Sequence, residues 1–403
     1  MSTTSFVTKG TGGRGGSGVV VPPGYAPLSS ATAAALAASV LGPSFELSGP
    51  VEEIGDGNLN LVFRVPFGDR TVVVKQALPY LRVVGEGWPL TLDRARVEAE
   101  ALSIASALAP GRVPEVFGYV EDQAAIVMEC LSHHVVWRGA LVAGVRVGGV
   151  AEQVGWYCAR TLMGTSAFCM DDARRRQMVA RFANPELCAI SEDLVFTAPF
   201  GPAASNRIDG EVQDLAASVF DDSALRSEAA RLRWEFRTCC EALLHGDLHT
   251  GSVMVAPGDA RVIDPEFAFF GPMAFDVGSL LGNLALSRSA HAASGSGFVG
   301  ALDEAAGEFW EGFRDEAARS WPTGEPWREQ FFASLIGRSA RFAGAEMVRR
   351  TFGLAHVADI DSLGQPAREK AQRAAIASAR ELMTGPAPTS FGELWTRAGG
   401  SAV

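Results

Sequence analysis

No apolar run in this 403-residue chain reaches the roughly 18 residues that a membrane-spanning helix requires. The Ala-rich stretch at 31–41 is too short and too weakly hydrophobic, so a membrane role is not expected. Basic charge is short as well. Lys and Arg total 35 against 46 Asp and Glu, a formal net charge of −11. That balance argues against a nucleic-acid-binding surface, which needs a basic stripe. It leaves room for a small anionic ligand, because a local arginine pair can hold one on an acidic protein. Cysteines are few and badly placed for cross-linking. Cys130, Cys158, Cys169, Cys188, Cys239 and Cys240 form no C-x-x-C pair, and the adjacent last two cannot make an unstrained disulfide. Structural zinc and a disulfide framework are therefore not expected, and a reducing cytoplasm is the simple reading. The opening MSTTSFVTKGTGGRGGSG lacks the basic start and apolar block of a signal peptide, and its Gly/Ser content reads as a flexible tail.

What is present suits a globular protein. Apolar residues make up 47%, enough for a full core, and the length allows two domains or one with a large insertion. A helix is expected over 30–40. Then β-type segments follow, and NLVFRVPF and RTVVVKQAL, joined by a short turn, read as a hairpin. TLDRARVEAEALSIASALA is a strong helix with Thr91 or Asp93 as N-cap, and AAIVMEC reads as a strand ending near Leu131. Beyond Gly139 the pattern is mostly helical, interrupted by the short strands SVMVA and ARVIDPEF. No internal repeat is visible. The expected class is α+β with two lobes. A small antiparallel lobe carrying one main helix spans 26–131 and a larger helical lobe spans 132–385, with tails at 1–25 and 386–403.

Several segments carry chemistry-bearing residues. In EIGDGNLNLVF, Gly55 and Gly57 sit between two strands, where backbone N–H groups can fold over phosphates. An ordinary hairpin turn gives the same pattern, and Asn60 stands where a kinase-type loop has its third glycine. Lys75 ends the run TVVVK. It reads either as a strand-end lysine reaching solvent or as the lysine that holds nucleotide phosphates and pairs with a helix glutamate. For that partner Glu98 and Glu100 are the candidates, and Glu100 is favoured. In LLHGDLHTGSVMV, Asp247 emerges on a turn between apolar flanks, which suits a carboxylate that orients a hydroxyl and accepts its proton. His245 reads as a loop brace. A metal pair with His249 would need a helix, against which Gly246 argues. VIDPEF places Asp264 and Glu266 two residues apart in an extended segment, hence on one side. Two converging carboxylates suit Mg²⁺ bridging ATP phosphates, and apolar neighbours argue against plain exposed acids.

The order of these pieces is that of a kinase-like phosphotransferase. Over 52–361 the chain resembles the S-methyl-5-thioribose kinase family, within the aminoglycoside-phosphotransferase and protein-kinase-like superfamily. The resemblance rests on GDGNLNLVF, VVVKQALPYLRVVGEGWPLTLDRARVEAEAL, HGDLHTGS, DPEFAFFGPMAFDVGSLLGNL and RRTFGLAHVADID. The wider superfamily shows H-G-D-x-x-x-x-N and D-x-D. Here Ser252 and Glu266 take the places of the Asn and the second Asp, as in this sugar-kinase family.

The resemblance implies ATP-dependent phosphorylation of the O1 hydroxyl of methylthioribose in methionine salvage. It implies that Asn58 and Lys75 contact ATP, that the backbone of Glu129, Cys130 and Leu131 meets adenine, and that Asp264, Pro265 and Glu266 face nucleotide and Mg²⁺. Asp247 would bind sugar and act as base. Arg349 and Arg350 would lie at substrate and transferred phosphate. The loop around Trp88 matches a lid of the family, or else Trp88 is an ordinary surface residue. A cytoplasmic homodimer without nucleic-acid or membrane partners is implied. Two rival readings stay open: a kinase of the same fold acting on another 5-substituted ribose, an aminoglycoside or an amino alcohol, and a non-catalytic nucleotide-binding relative.

Overall fold

The computed structural model describes residues 19–42, 46–54, 59–81 and 85–400. The first part is an antiparallel sheet of five strands in the order Glu52–Glu53, Asn60–Phe67, Arg70–Ala77, Ala125–Glu129 and Val116–Val120. Strand alternation decides what faces the cleft. Phe63, Val65, Phe67, Val72, Val74, Ala125 and Val127 form one buried face with Ala33, Leu36 and Ala37 of the helix Ser30–Leu41. That helix starts with a capping box at Ser29 and Thr32 and closes the outer side of the sheet. Ile126 and Met128 point the other way, into the main core. Lys75 lies directly opposite Ile126, so its side chain leaves the sheet on the inner face.

The helix Arg94–Leu108 packs across that inner side. Its N-cap is Asp93, whose side chain makes no capping bond. Instead Thr91 Oγ1 accepts from the Asp93 N–H at 3.2 Å, and Glu186 accepts from the Thr91 N–H at 2.8 Å. Arg94, Glu98, Ala101, Leu102 and Ala105 form its buried stripe. Trp88 is half-buried on Gly85–Pro89, a strand paired with Tyr80–Leu81.

The rest is mainly helical. Met273–Ser294 runs through the centre, buried along nearly its whole length, beside Arg328–Phe352, Val299–Arg319, Val150–Thr165 and Ala367–Thr384. Phe196, Phe236, Phe275 and Phe342 interlock there with tilted and edge-on rings. Among the described residues no helix is long and apolar enough to cross a membrane. Two short antiparallel ribbons, Val253–Ala256 with Asp259–Val262 and Ala242–Leu244 with Phe269–Gly271, carry the polar loops between them.

Val150–Thr165 and Val299–Arg319 approach through Gly155. A Cβ there would lie 2.0 Å from the Phe309 carbonyl oxygen and 2.8 Å from the Phe313 nitrogen. Neither is the movable end of a side chain, so the helices would have to separate. Gly155→Val should therefore cost about 3 kcal/mol or more. Urea unfolding with an unchanged midpoint would show that the helices do not need this approach.

Candidate active site

The loop His245–Ser252 leaves the Ala242–Leu244 strand and is braced from beneath. The buried Asp276 carboxylate, in the first turn of the central helix, accepts from the backbone N–H of His245 at 2.7 Å and of Gly246 at 3.1 Å. His245 Nε2 bonds the Ile263 carbonyl at 2.8 Å, and its Nδ1 accepts from the Asp247 N–H at 3.3 Å. This is the loop-bracing role expected of His245. Gly246 sits at φ +84°, and a Cβ there would lie 2.2 Å from the Phe267 carbonyl oxygen. Buried Ser252 bonds around the loop, accepting from the His249 N–H at 2.9 Å and reaching the Asp247 carbonyl at 3.1 Å. Ser252 thus supports loop shape.

Asp247 projects from this frame, half-buried. Its carboxylate lies 3.4 Å from Arg349 Nη1, 3.5 Å from Arg350 Nη2 and 3.4 Å from His249 Nε2. Burial would push the carboxyl up, but His249 and the two arginines outweigh it and hold it well below the ordinary range. Burial pushes His249 down, to about 4, so the ring is neutral at neutral pH. Its Nδ1 accepts from the Gly251 N–H at 3.0 Å, which leaves the proton on Nε2, facing Asp247. With that ring neutral, His249 acts on Asp247 through its Nε2–H, and the positive charge facing the carboxylate comes from the guanidinium groups.

Those guanidinium groups are held by a residue the sequence did not single out. Glu346, 1% exposed, accepts from Arg349 Nη1 at 3.0 Å, Arg350 Nε at 2.6 Å and Asn283 Nδ2 at 3.1 Å. All but Asn283 are on one helix, where separations of three and four residues place side chains together. Asn283 in turn accepts from Arg138 at 2.6 Å, and Arg138 Nε reaches Thr250 of the loop at 3.2 Å. Burial, then the neighbouring Arg350, lower Arg138 to about 10, still charged at neutral pH. The E-x-x-R-R spacing was the one signal in the sequence for Glu346. Arg138 carries none.

Across the cleft, Lys75 Nζ lies 2.7 Å from Glu98 Oε1 and 2.6 Å from Asp264 Oδ1. Burial alone would lower the ammonium's pKa, but the two carboxylates outweigh it and raise it. Burial pushes the Glu98 carboxyl up, and the Lys75 ammonium at 2.7 Å pulls it back toward the ionised form. The expectation of Glu100 is corrected. Glu98 stands one turn beyond Arg94 on the buried stripe, whereas two residues further on the helix has turned outward. There Glu100 pairs with Arg96 at 3.2 Å and with Arg181.

The extended geometry expected for the DPE segment is corrected too. Asp264 adopts a left-handed φ of 63° and Pro265–Phe267 is a 3₁₀ turn. Both carboxylates still face the sheet lobe. Glu266, 5% exposed, lies 3.2 Å from Arg94 Nε and accepts from Asn60 Nδ2 at 3.1 Å. Arg94 is fully buried, donating also to Leu78 and Leu59 carbonyls and to Asn60 Oδ1. Neither Arg94 nor the partner role of Asn60 was anticipated. Glu129 closes its strand and Cys130 and Leu131 follow it at the crossing between lobes. Burial raises the Cys130 thiol's pKa. Gly55, Gly57 and Asn58 lie outside the described residues.

A lysine clamped by helix and loop carboxylates, facing a lone aspartate among arginines, is an arrangement for moving a phosphoryl group onto a hydroxyl. The model described as phosphotransferase enzyme family matches residues 50–321. The methylthioribose kinase of Yersinia pseudotuberculosis serotype O:3 (strain YPIII) is 41% identical over 352 residues, covering 82% of this chain and 86% of that protein. The methylthioribose kinase of Bacillus cereus (strain AH820) is 37% identical over 340 residues, covering 82% and 86%. That of Cronobacter sakazakii (strain ATCC BAA-894) is 41% identical over 331 residues, covering 77% and 82%. The fold is that of the bilobal, protein-kinase-like phosphotransferases, and the chain belongs to the phosphotransferase enzyme family. Within that class it is a member of the methylthioribose kinase family.

The glutamate assignment is open to direct test. Glu98→Gln should lower kcat/KM for ATP at least tenfold, because Lys75 loses one of its two carboxylate partners. Glu100→Gln removes ion pairs at the surface and rim, with Arg181 and Arg96, away from Lys75, and should stay within about twofold. The reverse ranking in steady-state kinetics would return the role to Glu100.

Proposed function

We propose that the chain transfers the γ-phosphoryl group of ATP to the O1 hydroxyl of S-methyl-5-thioribose, giving S-methyl-5-thioribose 1-phosphate for methionine salvage. The observation that carries this reading is Asp247. It is an ionised carboxylate on a rigid turn with two arginine guanidinium groups in ion-pair range, at 3.4 and 3.5 Å, in a chain whose relatives bear that name. An anomeric hydroxyl is more acidic than an ordinary sugar hydroxyl, so even a carboxylate of low basicity is an adequate acceptor when well placed.

In the proposed step, Asp247 binds the sugar and takes the O1 proton as O1 attacks the γ-phosphorus. The new O1–P bond forms as the bond from that phosphorus to the bridging oxygen breaks, and ADP leaves. Arg349 and Arg350 face the reacting end and offset charge on the transferred group. On the nucleotide side Lys75 and, by the family resemblance, Asn58 contact ATP, Asp264, Pro265 and Glu266 line the same side, and the backbone of Glu129, Cys130 and Leu131 receives adenine.

The carboxylates fit a magnesium ion. Lys75 engages only Oδ1 of the partly exposed Asp264, and Asn60 and Arg94 engage only Oε2 of Glu266. Each therefore keeps an oxygen for a cation that takes one or two protein carboxylates and completes its shell with phosphates and water. When bound, Mg²⁺ neutralises phosphate charge; Asp264 and Glu266 would hold it. We place the protein in the cytoplasm as a homodimer, a reading that rests on the family resemblance.

Asp247→Asn preserves shape and removes the proton acceptor, so kcat should fall by about 10²–10⁴ with unfolding unchanged. Arg349→Ala and Arg350→Ala should each depress kcat/KM, and the double variant should be nearly inactive. Loss of a guanidinium also raises the Asp247 pKa, so the acid limb of the kcat/KM profile should move to higher pH. An unmoved limb would remove the arginines from control of Asp247.

Substrate choice separates this reading from its rivals. With Mg-ATP, methylthioribose should be phosphorylated at O1 and ethylthioribose less well. Plain ribose, which lacks the apolar group, should be poor. Trimming one methyl costs only about 1–3 kcal/mol, whereas losing a hydrogen-bonded hydroxyl should cost far more. Chelation should abolish turnover. Efficient phosphorylation of an aminoglycoside or choline, with none of methylthioribose, would overturn the substrate and leave the phosphotransferase class standing.

A further inference from the structure

Arg94 stands where a cation is least favoured. It is the first residue of the helix Arg94–Leu108, and the positive end of the helix dipole repels it there. It is also 0% exposed, and burying a charge is costly unless that charge is paired and hydrogen-bonded. An apolar side chain would fill the same space without either penalty. The phosphoryl-transfer step proposed above leaves Arg94 without a task, so its retention calls for another one.

The task can be read from its five N–H donors, which a guanidinium presents in a fixed fork. Nη1 donates to the Leu78 carbonyl at 2.8 Å and to the Thr91 carbonyl at 2.6 Å. Nη2 donates to the Leu59 carbonyl at 2.9 Å and to Asn60 Oδ1 at 3.1 Å. These four uncharged oxygens lock the plane of the group. The remaining nitrogen, Nε, is left 3.2 Å from Glu266 Oε2, in ion-pair contact rather than in a hydrogen bond of ordinary geometry. Asn60 Nδ2 donates to the same Oε2 at 3.1 Å. Arg94, Asn60 and Glu266 thus close a triangle, and Oε1 stays outside it. Three of the segments drawn together belong to the nucleotide side of the sheet lobe. Leu59 and Asn60 directly follow Asn58, Leu78 follows the strand that carries Lys75, and Thr91 leads into the helix that carries Glu98. Glu266 is the member from the helical lobe.

We propose that Arg94 is a positioning residue for the metal carboxylate. Its locked fork, together with Asn60, holds the Glu266 side chain so that Oε1 is presented to the divalent cation. This rests on the reading of Asp264 and Glu266 as the metal pair. The contribution is one of geometry rather than charge, because a positive group beside a carboxylate by itself competes with a cation for that carboxylate. Lysine would keep the charge but offers a compact ammonium on a flexible stem. It cannot reproduce the fork, and Glu266 would be free to turn. Partners that orient metal ligands in this way are worth about 10–100-fold in metal affinity.

The test is titration of Mn²⁺, followed by its electron-spin signal, into the full chain in the presence of ADP, against a protein-free ADP control. No sugar is present and no turnover is needed. The wild type should bind Mn²⁺, and Arg94→Lys should weaken that binding by about 10–100-fold. Asn60→Leu, which removes one hold on Oε2 and leaves Arg94 in place, should weaken it by a smaller factor. In turnover, the Mg²⁺ concentration for half-maximal rate should rise in both variants more than the rate at saturating Mg²⁺ falls. Urea unfolding of the metal-free proteins separates these effects from loss of the fold. A folded Arg94→Lys chain with wild-type Mn²⁺ affinity would overturn the proposal. If that variant does not fold, a folded Asn60→Leu chain with wild-type affinity would do the same. Absence of Mn²⁺ binding by the wild type would remove the metal pair itself and this role with it. A different sugar or alcohol acceptor would leave the result unchanged, which keeps the test apart from the substrate assignment.

Discussion

A lysine ammonium removed from water must be surrounded by negative charge, or the fold would favour its neutral form. Lys75 meets that demand with one carboxylate from each lobe: Glu98 from the helix over the sheet and Asp264 from the turn below the catalytic loop. Both pairs sit where breaking either strands a buried charge, the situation in which ionic contacts cost most when broken. The neighbouring Arg94–Glu266–Asn60 set repeats the logic a few residues away. Charge complementarity therefore adds direction to the apolar core that already runs from the sheet's inner face into the helical lobe.

The acceptor side obeys the same rule by a different route. Three charged groups from a single helix, Glu346, Arg349 and Arg350, form a unit whose net charge is positive. The unit rests on Asn283 of the central helix. Its surplus charge is directed at Asp247. The buried glutamate fixes two long side chains that would otherwise sample many rotamers, so the entropy of ordering them is lost on folding, before any substrate arrives.

Much of this was legible in the sequence where the signal was local. The helix expected over 30–40 forms at Ser30–Leu41, the hairpin through Phe67 and Arg70 forms as read, and the valine run ending in Lys75 has the alternation that points the lysine inward. The loop bracing by His245 followed from the flanking apolar strands. The choice between Glu98 and Glu100 failed because it depends on helix phase, which Arg94 fixes only through Glu266, far along the chain. The DPE segment was read as extended because a left-handed residue before proline leaves no local trace. Arg94, Arg138 and Asn60 were passed over since each is defined by partners that only folding brings near.

The positive groups around Asp247 and the brace beneath it come entirely from the helical lobe, whereas the Lys75 clamp spans both lobes. Any hinge motion that parts the lobes must pull the ammonium away from Asp264 while leaving the Asp247–Arg349–Arg350 constellation intact. The two halves of the cleft are thus mechanically decoupled in one direction. On the function proposed above, opening would release a spent nucleotide without dismantling the arginine-lined surroundings of Asp247.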